Sequence, residues 1–252
     1  MKYYKTLLIL FIAAISYETM QSQSTTKPVY VFIHGMTGGG WGFKNIGSLL
    51  TESGNIVYRP TLTGLGNRVH LASSNIILDT HILDIVNTIL YEDLNDVILV
   101  GHSYGGMVVT GVADRIPERI RKLIYIDALL PEDGESAVSM TGTKIDSSMK
   151  IENGLIIPEW LQEGKTPPKS VPHPALTLID DISLTNPMRL EIPSTYILTV
   201  DKGKDAKEDD FFSQAERATK KEWTVLQLEA DHNPQWSAPE ELVGMLQKIV
   251  KK

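Results

Sequence analysis

Residues Val97-Ile98-Leu99-Val100-Gly101-His102-Ser103-Tyr104-Gly105-Gly106-Met107-Val108-Val109 decide the fold. An apolar, β-branched run enters a G-x-S-x-G sequence, and a run of small and apolar residues leaves it. The first half reads as a buried strand and the second as a helix, with Ser103 on the turn between them. Gly101 and Gly105 lie two residues either side of the serine, where strand and helix pack so closely that a Cβ would collide. Ser103 is thereby raised above the sheet, with a helix N-terminus behind it. G-x-S-x-G is a weak pattern by itself. Between a strand and a helix it marks a nucleophile elbow.

An elbow serine needs an oxyanion hole, an acid and a histidine, in the chain order Ser, then Asp or Glu, then His. Upstream, Val29-Tyr30-Val31-Phe32-Ile33 reads as a buried strand running into His34-Gly35-Met36-Thr37-Gly38-Gly39-Gly40-Trp41. The backbone N–H of Met36 in that loop and the N–H of Tyr104, just after the nucleophile, are the expected oxyanion donors. Each would stabilise a tetrahedral intermediate by about 3 kcal/mol. His34 comes too early to be the base and is read as holding the loop.

Downstream, Ser194 to Val200 reads as a strand with Asp201 just past its C-terminal end, the edge where catalytic groups collect in an open α/β sheet. Trp223 to Leu228 reads as a further strand, followed by Glu229-Ala230-Asp231-His232-Asn233. Ser103, Asp201 and His232 therefore fall in the required order. His232 would act as base and then as acid, and Asp201 would hold its tautomer. Asp127, which follows the strand Lys122 to Ile126, is the alternative acid. Asp231 adjoins His232 and reads as a loop or surface residue.

These segments resemble the α/β-hydrolases, and more narrowly the small group of plant methylesterases and hydroxynitrile lyases with bacterial esterase relatives. The matching pieces are the His34-Gly35 loop with Trp41, Pro60-Thr61-Leu62-Thr63-Gly64-Leu65-Gly66, the serine elbow, Pro131-Glu132-Asp133-Gly134, Asp201-Lys202-Gly203 and Ala230-Asp231-His232. The resemblance runs from about residue 29 to the C-terminus. It implies the same triad and places the acid at Asp201 rather than at Asp205, Asp209 or Asp210. The lyases carry a threonine after the histidine of the oxyanion loop and a lysine after the base. Here those positions hold Gly35 and Asn233. A carboxylesterase acting on a small-molecule ester is the expected function. The alternatives are a lyase or another reaction on the same triad, or a ligand-binding relative with slow turnover.

Composition fits one soluble domain. The chain has 252 residues, 42% of them hydrophobic and 22% charged, enough for a single sizeable core. A net charge of −7 argues against nucleic acid or anionic membrane surfaces as partners. Lys2 and Lys5 precede an apolar run, Leu7 to Ile15, that is too short to span a membrane. Residues 1–24 are accordingly read as a secretory signal peptide, cut near residues 20 to 24 and placing the enzyme in the periplasm or outside the cell. Residues 25–252 would form the α/β-hydrolase domain. The chain has no cysteine, hence no disulfide. No H-x-H or H-E-x-x-H spacing occurs, so neither a metal nor another cofactor is expected. The oligomeric state is not legible, a homodimer being one option.

Strands alternating with helices predict a mostly parallel six-stranded sheet with helices on both faces. Residues 131–192 interrupt the alternation with Pro158, Pro167, Pro168, Pro172, Pro174 and Pro187. So long a structureless loop is unusual in a compact domain, and the segment is read as a small cap folded over Ser103. Gly35 and Trp160 are the expected pocket residues. Met140, Met149 and Met188 would either touch the substrate or pack the cap onto the core.

Overall fold

The computed structural model describes residues 27–142, 150–161 and 164–251. The leader expectation therefore lies outside the described residues. Among the described residues, no helix is long and apolar enough to cross a membrane.

Six strands form one parallel sheet: β1 (Val29–Ile33), β2 (Ile56–Tyr58), β3 (Val97–His102), β4 (Ile120–Ile126), β8 (Ser194–Val200) and β9 (Thr224–Glu229). Their spatial order is β2-β1-β3-β4-β8-β9, and every neighbouring pair is parallel. The expected six-stranded architecture is thus observed, with strand ends within two residues of the reading. The order reverses between β1 and β3. In open parallel sheets this switch point leaves a crevice beyond the strand C-termini, where ligands bind. The loop after β1 and the turn carrying Ser103 both open there.

Strand side chains alternate between two buried layers, as a pleated sheet covered on both faces requires. Tyr30, Phe32, Ile98, Val100, Ile124 and Ile126 face one layer. It is completed by α1 (Lys44–Glu52) and α8 (Pro239–Lys251) through Ile46, Leu50, Leu242 and Leu246. Val31, Ile33, Leu99, Leu123 and Tyr125 face the other. That layer is covered by α2 (Leu78–Tyr91) and α3 (Gly105–Arg115) through Ile82, Ile85, Val109 and Val112. On the same side, α6 (Phe212–Lys220) packs through Ala215 and Ala218.

The described part of 131–192 folds as α4 (Ala137–Thr141), a three-stranded antiparallel sheet and α5 (Leu176–Ile179). The small sheet comprises β5 (Lys150–Glu152), β6 (Leu155–Ile157) and β7 (His173–Pro174). Ile156, Val171, Ala175 and Leu178 tie this segment into the α2–α3 layer, so it shares the main core. Met140 packs there too, and Met188 is exposed. Met149 lies outside the described residues. A final short helix, α7 (Pro234–Ser237), follows β9.

Candidate active site

The elbow stands between β3 and α3. Ser103 has φ +54°, in the left-handed region that costs a non-glycine residue about 1–3 kcal/mol. Its backbone is held from three sides. Its N–H donates to the Ile126 carbonyl (3.3 Å), and its own carbonyl accepts from Leu129 and Gly106 (3.1 Å each). A Cβ on Gly101 would lie 2.6 Å from a Val109 methyl, and one on Gly105 would lie 2.6 Å from the Ile33 carbonyl oxygen. The sequence reading missed Gly106, where a Cβ would sit 2.0 Å from the Leu129 carbonyl oxygen.

Ser103 Oγ lies 3.1 Å from His232 Nε2. His232 Nδ1 lies 2.7 Å from Asp127 Oδ2. Asp127 is fully buried at the end of β4 with φ +44°, and its other oxygen accepts the Thr199 N–H at 3.1 Å. That contact turns the free carboxylate oxygen toward the imidazole. With Nδ1–H donating to Asp127, Nε2 is left to accept from the serine hydroxyl. The hydroxyl, imidazole and buried carboxylate can therefore pass one proton off Ser103 and return it to a leaving group.

The expectation that Asp201 would hold the imidazole is corrected here. Asp201 pairs with Lys204 (2.6 Å), and its carbonyl accepts the Lys204 N–H in a turn that continues through Gly203 at φ +81°. It is nearly half exposed and turned to solvent, whereas the loop carrying His232 reaches back to the end of β4. Asp231 is an exposed loop residue, as read, accepting from the Asn233 N–H and the Ser237 hydroxyl.

Two neighbours of His232 were not found from the sequence. Phe211 stacks on the imidazole (centroids 4.8 Å apart, 12° between planes). His102 lies against it at 4.8 Å, and its Nε2–H donates to the His232 carbonyl at 2.7 Å. Burial, then the proximity of His232, lowers the His102 pKa to about 3 and keeps it a neutral donor. The signal for His102 lay in the motif, one residue before the nucleophile. Nothing in the sequence links Phe211 to His232.

His34 holds the loop after β1. Its Nε2 accepts the Leu62 N–H (3.1 Å), and its Nδ1–H donates to the Gly35 carbonyl (2.8 Å). Burial lowers its pKa to about 4. Among the described residues, the amides of Met36 and Tyr104 make no hydrogen bond.

A cleft of about 670 Å³ opens above Ser103 and His232. Gly35 and Trp160 both line it, with Trp41, Trp236 and Asn233. Trp41 and Trp236 stack 5.8 Å apart. A Cβ on Gly35 would lie 3.0 Å from that of Ser103, so the missing side chain keeps the approach to the nucleophile open. Among the described residues, no group of three or more His, Asp or Glu side chains is placed to hold a metal ion.

Residues 30–245 match the model of the alpha/beta hydrolase family. A carbendazim hydrolyzing esterase from a Nocardioides species is 50% identical over 111 residues, which span 44% of this chain and 46% of that protein. The pFDCC methylesterase MES16 of Arabidopsis thaliana is 28% identical over 268 residues, covering 92% of this chain and 98% of that protein. Among solved structures, the Arabidopsis MES16 methylesterase superposes with a TM-score of 0.68 at 23% identity, over 89% of this chain and 99% of that one. Tomato methylketone synthase I superposes with a TM-score of 0.72 at 20% identity, over 90% and 98%. With its elbow serine, late histidine and parallel sheet, the chain belongs to the α/β-hydrolase family.

Proposed function

We propose that the protein is a serine carboxylesterase that cleaves small or medium esters through an acyl-enzyme on Ser103. The observation that carries this reading is the unbroken contact from Ser103 Oγ through His232 to the buried Asp127. Ser103 Oγ adds to the ester carbonyl carbon while its proton passes to His232 Nε2. Asp127 stabilises the imidazolium that forms. The carbonyl oxygen becomes an oxyanion facing the Met36 and Tyr104 amides. Collapse breaks the bond to the alkoxy oxygen, which leaves as the alcohol with the proton from His232. Water, deprotonated by the same imidazole, then adds to the acyl carbon and releases the acid and Ser103.

Gly35 and Asn233 favour an esterase over a lyase. A departing cyanide is an anion, and the neutral Asn233 beside His232 offers it no cation. A charge-assisted contact is roughly twice as strong as a neutral one. The methylesterase relatives bring methyl esters within the substrate range. Segment 131–192 is the cap, with Trp160 as its wall on the cleft. The run from Lys2 to Ser24 carries the features of an export signal.

Ser103→Ala is expected to abolish labelling by a fluorophosphonate and to lower p-nitrophenyl butyrate turnover by about 10⁴ or more. Labelling that persists would overturn the assignment. The wild type should release no cyanide from mandelonitrile above background. Release as fast as ester hydrolysis would overturn the choice of chemistry.

A further inference from the structure

The cap segment and the oxyanion loop meet at one histidine. Thr37 follows Met36 and has φ +63°, an unfavourable conformation for a β-branched residue. Both of its backbone polar groups are taken by the cap. Its N–H donates to His173 Nδ1 at 3.2 Å, across 136 residues of sequence, and its carbonyl accepts the Val171 N–H at 2.9 Å. His173 is itself fixed. Its Nε2–H donates to Thr177 Oγ1 at 2.8 Å, and the Thr177 hydroxyl donates in turn to the Pro174 carbonyl at 2.8 Å. His173 and Thr177 are fully buried.

The same imidazole also reaches the second oxyanion donor. The Tyr104 ring packs edge-on against His173, with centroids 4.9 Å apart. The Tyr104 hydroxyl is held by His81 Nδ1 at 2.9 Å, and His81 Nε2–H donates to the Thr63 carbonyl at 2.9 Å. One side chain of the cap thus touches both residues that bracket the oxyanion site, Thr37 just after Met36 and Tyr104 itself.

We propose that His173 is a positioning residue for the oxyanion hole, its Nδ1 clamping the Thr37 amide so that the Met36 N–H is aimed at the developing oxyanion. This rests on the serine esterase reading above. The clamp needs one tautomer: Nδ1 must carry a lone pair, so the proton must sit on Nε2, and Thr177 Oγ1 is the acceptor that keeps it there. The cap would then contribute to the rate of the chemical step as well as to the shape of the cleft. Loss of the clamp weakens contacts made to the oxyanion and leaves ester binding in the ground state almost unchanged.

The test measures kcat and KM for p-nitrophenyl butyrate, and the affinity for benzyl trifluoromethyl ketone, whose Ser103 adduct places an oxyanion in the hole. His173→Phe keeps a ring and removes the acceptor. It is expected to lower kcat about 100-fold, the size of losing one oxyanion donor, to weaken the ketone similarly, and to leave KM within about threefold. His173→Asn puts an amide oxygen near the Nδ1 position and should recover at least tenfold of the loss. Thr177→Val, which leaves the His173 imidazole in place but removes the acceptor of its Nε2–H and so frees the tautomer, should cost about tenfold in kcat. A folded His173→Phe with near-normal kcat would overturn the inference, as would an Asn variant no better than Phe, which would mark a packing role. If His173→Phe does not fold, Thr177→Val decides: normal kcat and ketone affinity overturn the clamp. Wild-type protein that is not labelled at Ser103 would instead overturn the serine reading, and this inference with it.

Discussion

The ends of β4 and β8 carry the same sequence device and do different things with it. Each strand runs buried into its C-terminal end, is paired on both sides in the sheet, and is followed at once by an aspartate. At β4, Asp127 takes a left-handed backbone, donates its N–H to the Ile197 carbonyl of the neighbouring strand (2.8 Å), and turns its carboxylate inward. There the Thr199 N–H and His232 satisfy its two oxygens. At β8, Asp201 enters an exposed turn and pairs with a lysine three residues on. Position at the carboxyl edge of the sheet is therefore not sufficient to bring an aspartate to His232. What selects one aspartate is burial together with a backbone donor that orients it.

The largest effect should come from removing the charge at the buried end alone. Asp127→Asn preserves shape, and its amide oxygen can still accept from Thr199. That leaves the NH₂ group facing His232 Nδ1 and forces the wrong tautomer, at a cost of about 10⁴ in kcat/KM for p-nitrophenyl butyrate. Equal activity in this variant and the wild type would erase the distinction between the two strand ends.

The contrast between buried and exposed groups extends to the histidines and gives the next effect. His34, His81, His102 and His173 are buried, and His70 is exposed. Burial lowers His34 and His81 to about 4 and His102 to about 3, and it lowers His173 well below the usual value. The folded protein thus keeps these rings neutral, while the unfolded chain protonates them as pH falls below about 6.5. The unfolded state binds more protons in that window, so stability falls with pH from about 6.5 toward 4, by up to about 1.4 kcal/mol per unit for each ring. His34, His81 and His102 all act in this direction at pH 5, and a few kcal/mol is already a large fraction of the stability of an ordinary domain. Urea midpoints should therefore drop steeply between pH 7 and 5. A flat profile would mean that these rings titrate alike in the folded and unfolded states.

The smallest effect belongs to the exposed end. Asp201→Asn should leave kcat/KM within about twofold and should change stability by less than ~1 kcal/mol, as expected for a solvent-exposed ion pair. A loss approaching that of Asp127→Asn would return the acid to Asp201.

These two strand ends also show how far the sequence could be read. The β-branched runs at 29–33, 97–100 and 194–200 announced their strands because burial on both faces demands continuous apolar side chains. Ser103 was legible through the steric needs of its glycines, and His232 through its place in the chain order. The choice between Asp127 and Asp201 was not legible, since both follow a strand. It turns on the Thr199 amide, 72 residues away in sequence on the neighbouring strand β8. The clamp of His173 on Thr37 was beyond reach for the same reason. A lone histidine in a proline-rich segment shows no sign of a partner 136 residues earlier.

The most direct test of the central claim is the low-field proton NMR signal of the His232 Nδ1–H, recorded for the wild type, Asp127→Asn and Asp201→Asn. A short hydrogen bond to a buried carboxylate moves this proton well downfield and slows its exchange with water. The signal is expected in the wild type, unchanged in Asp201→Asn, and absent or shifted far upfield in Asp127→Asn. A signal that survives Asp127→Asn and disappears in Asp201→Asn would contradict it.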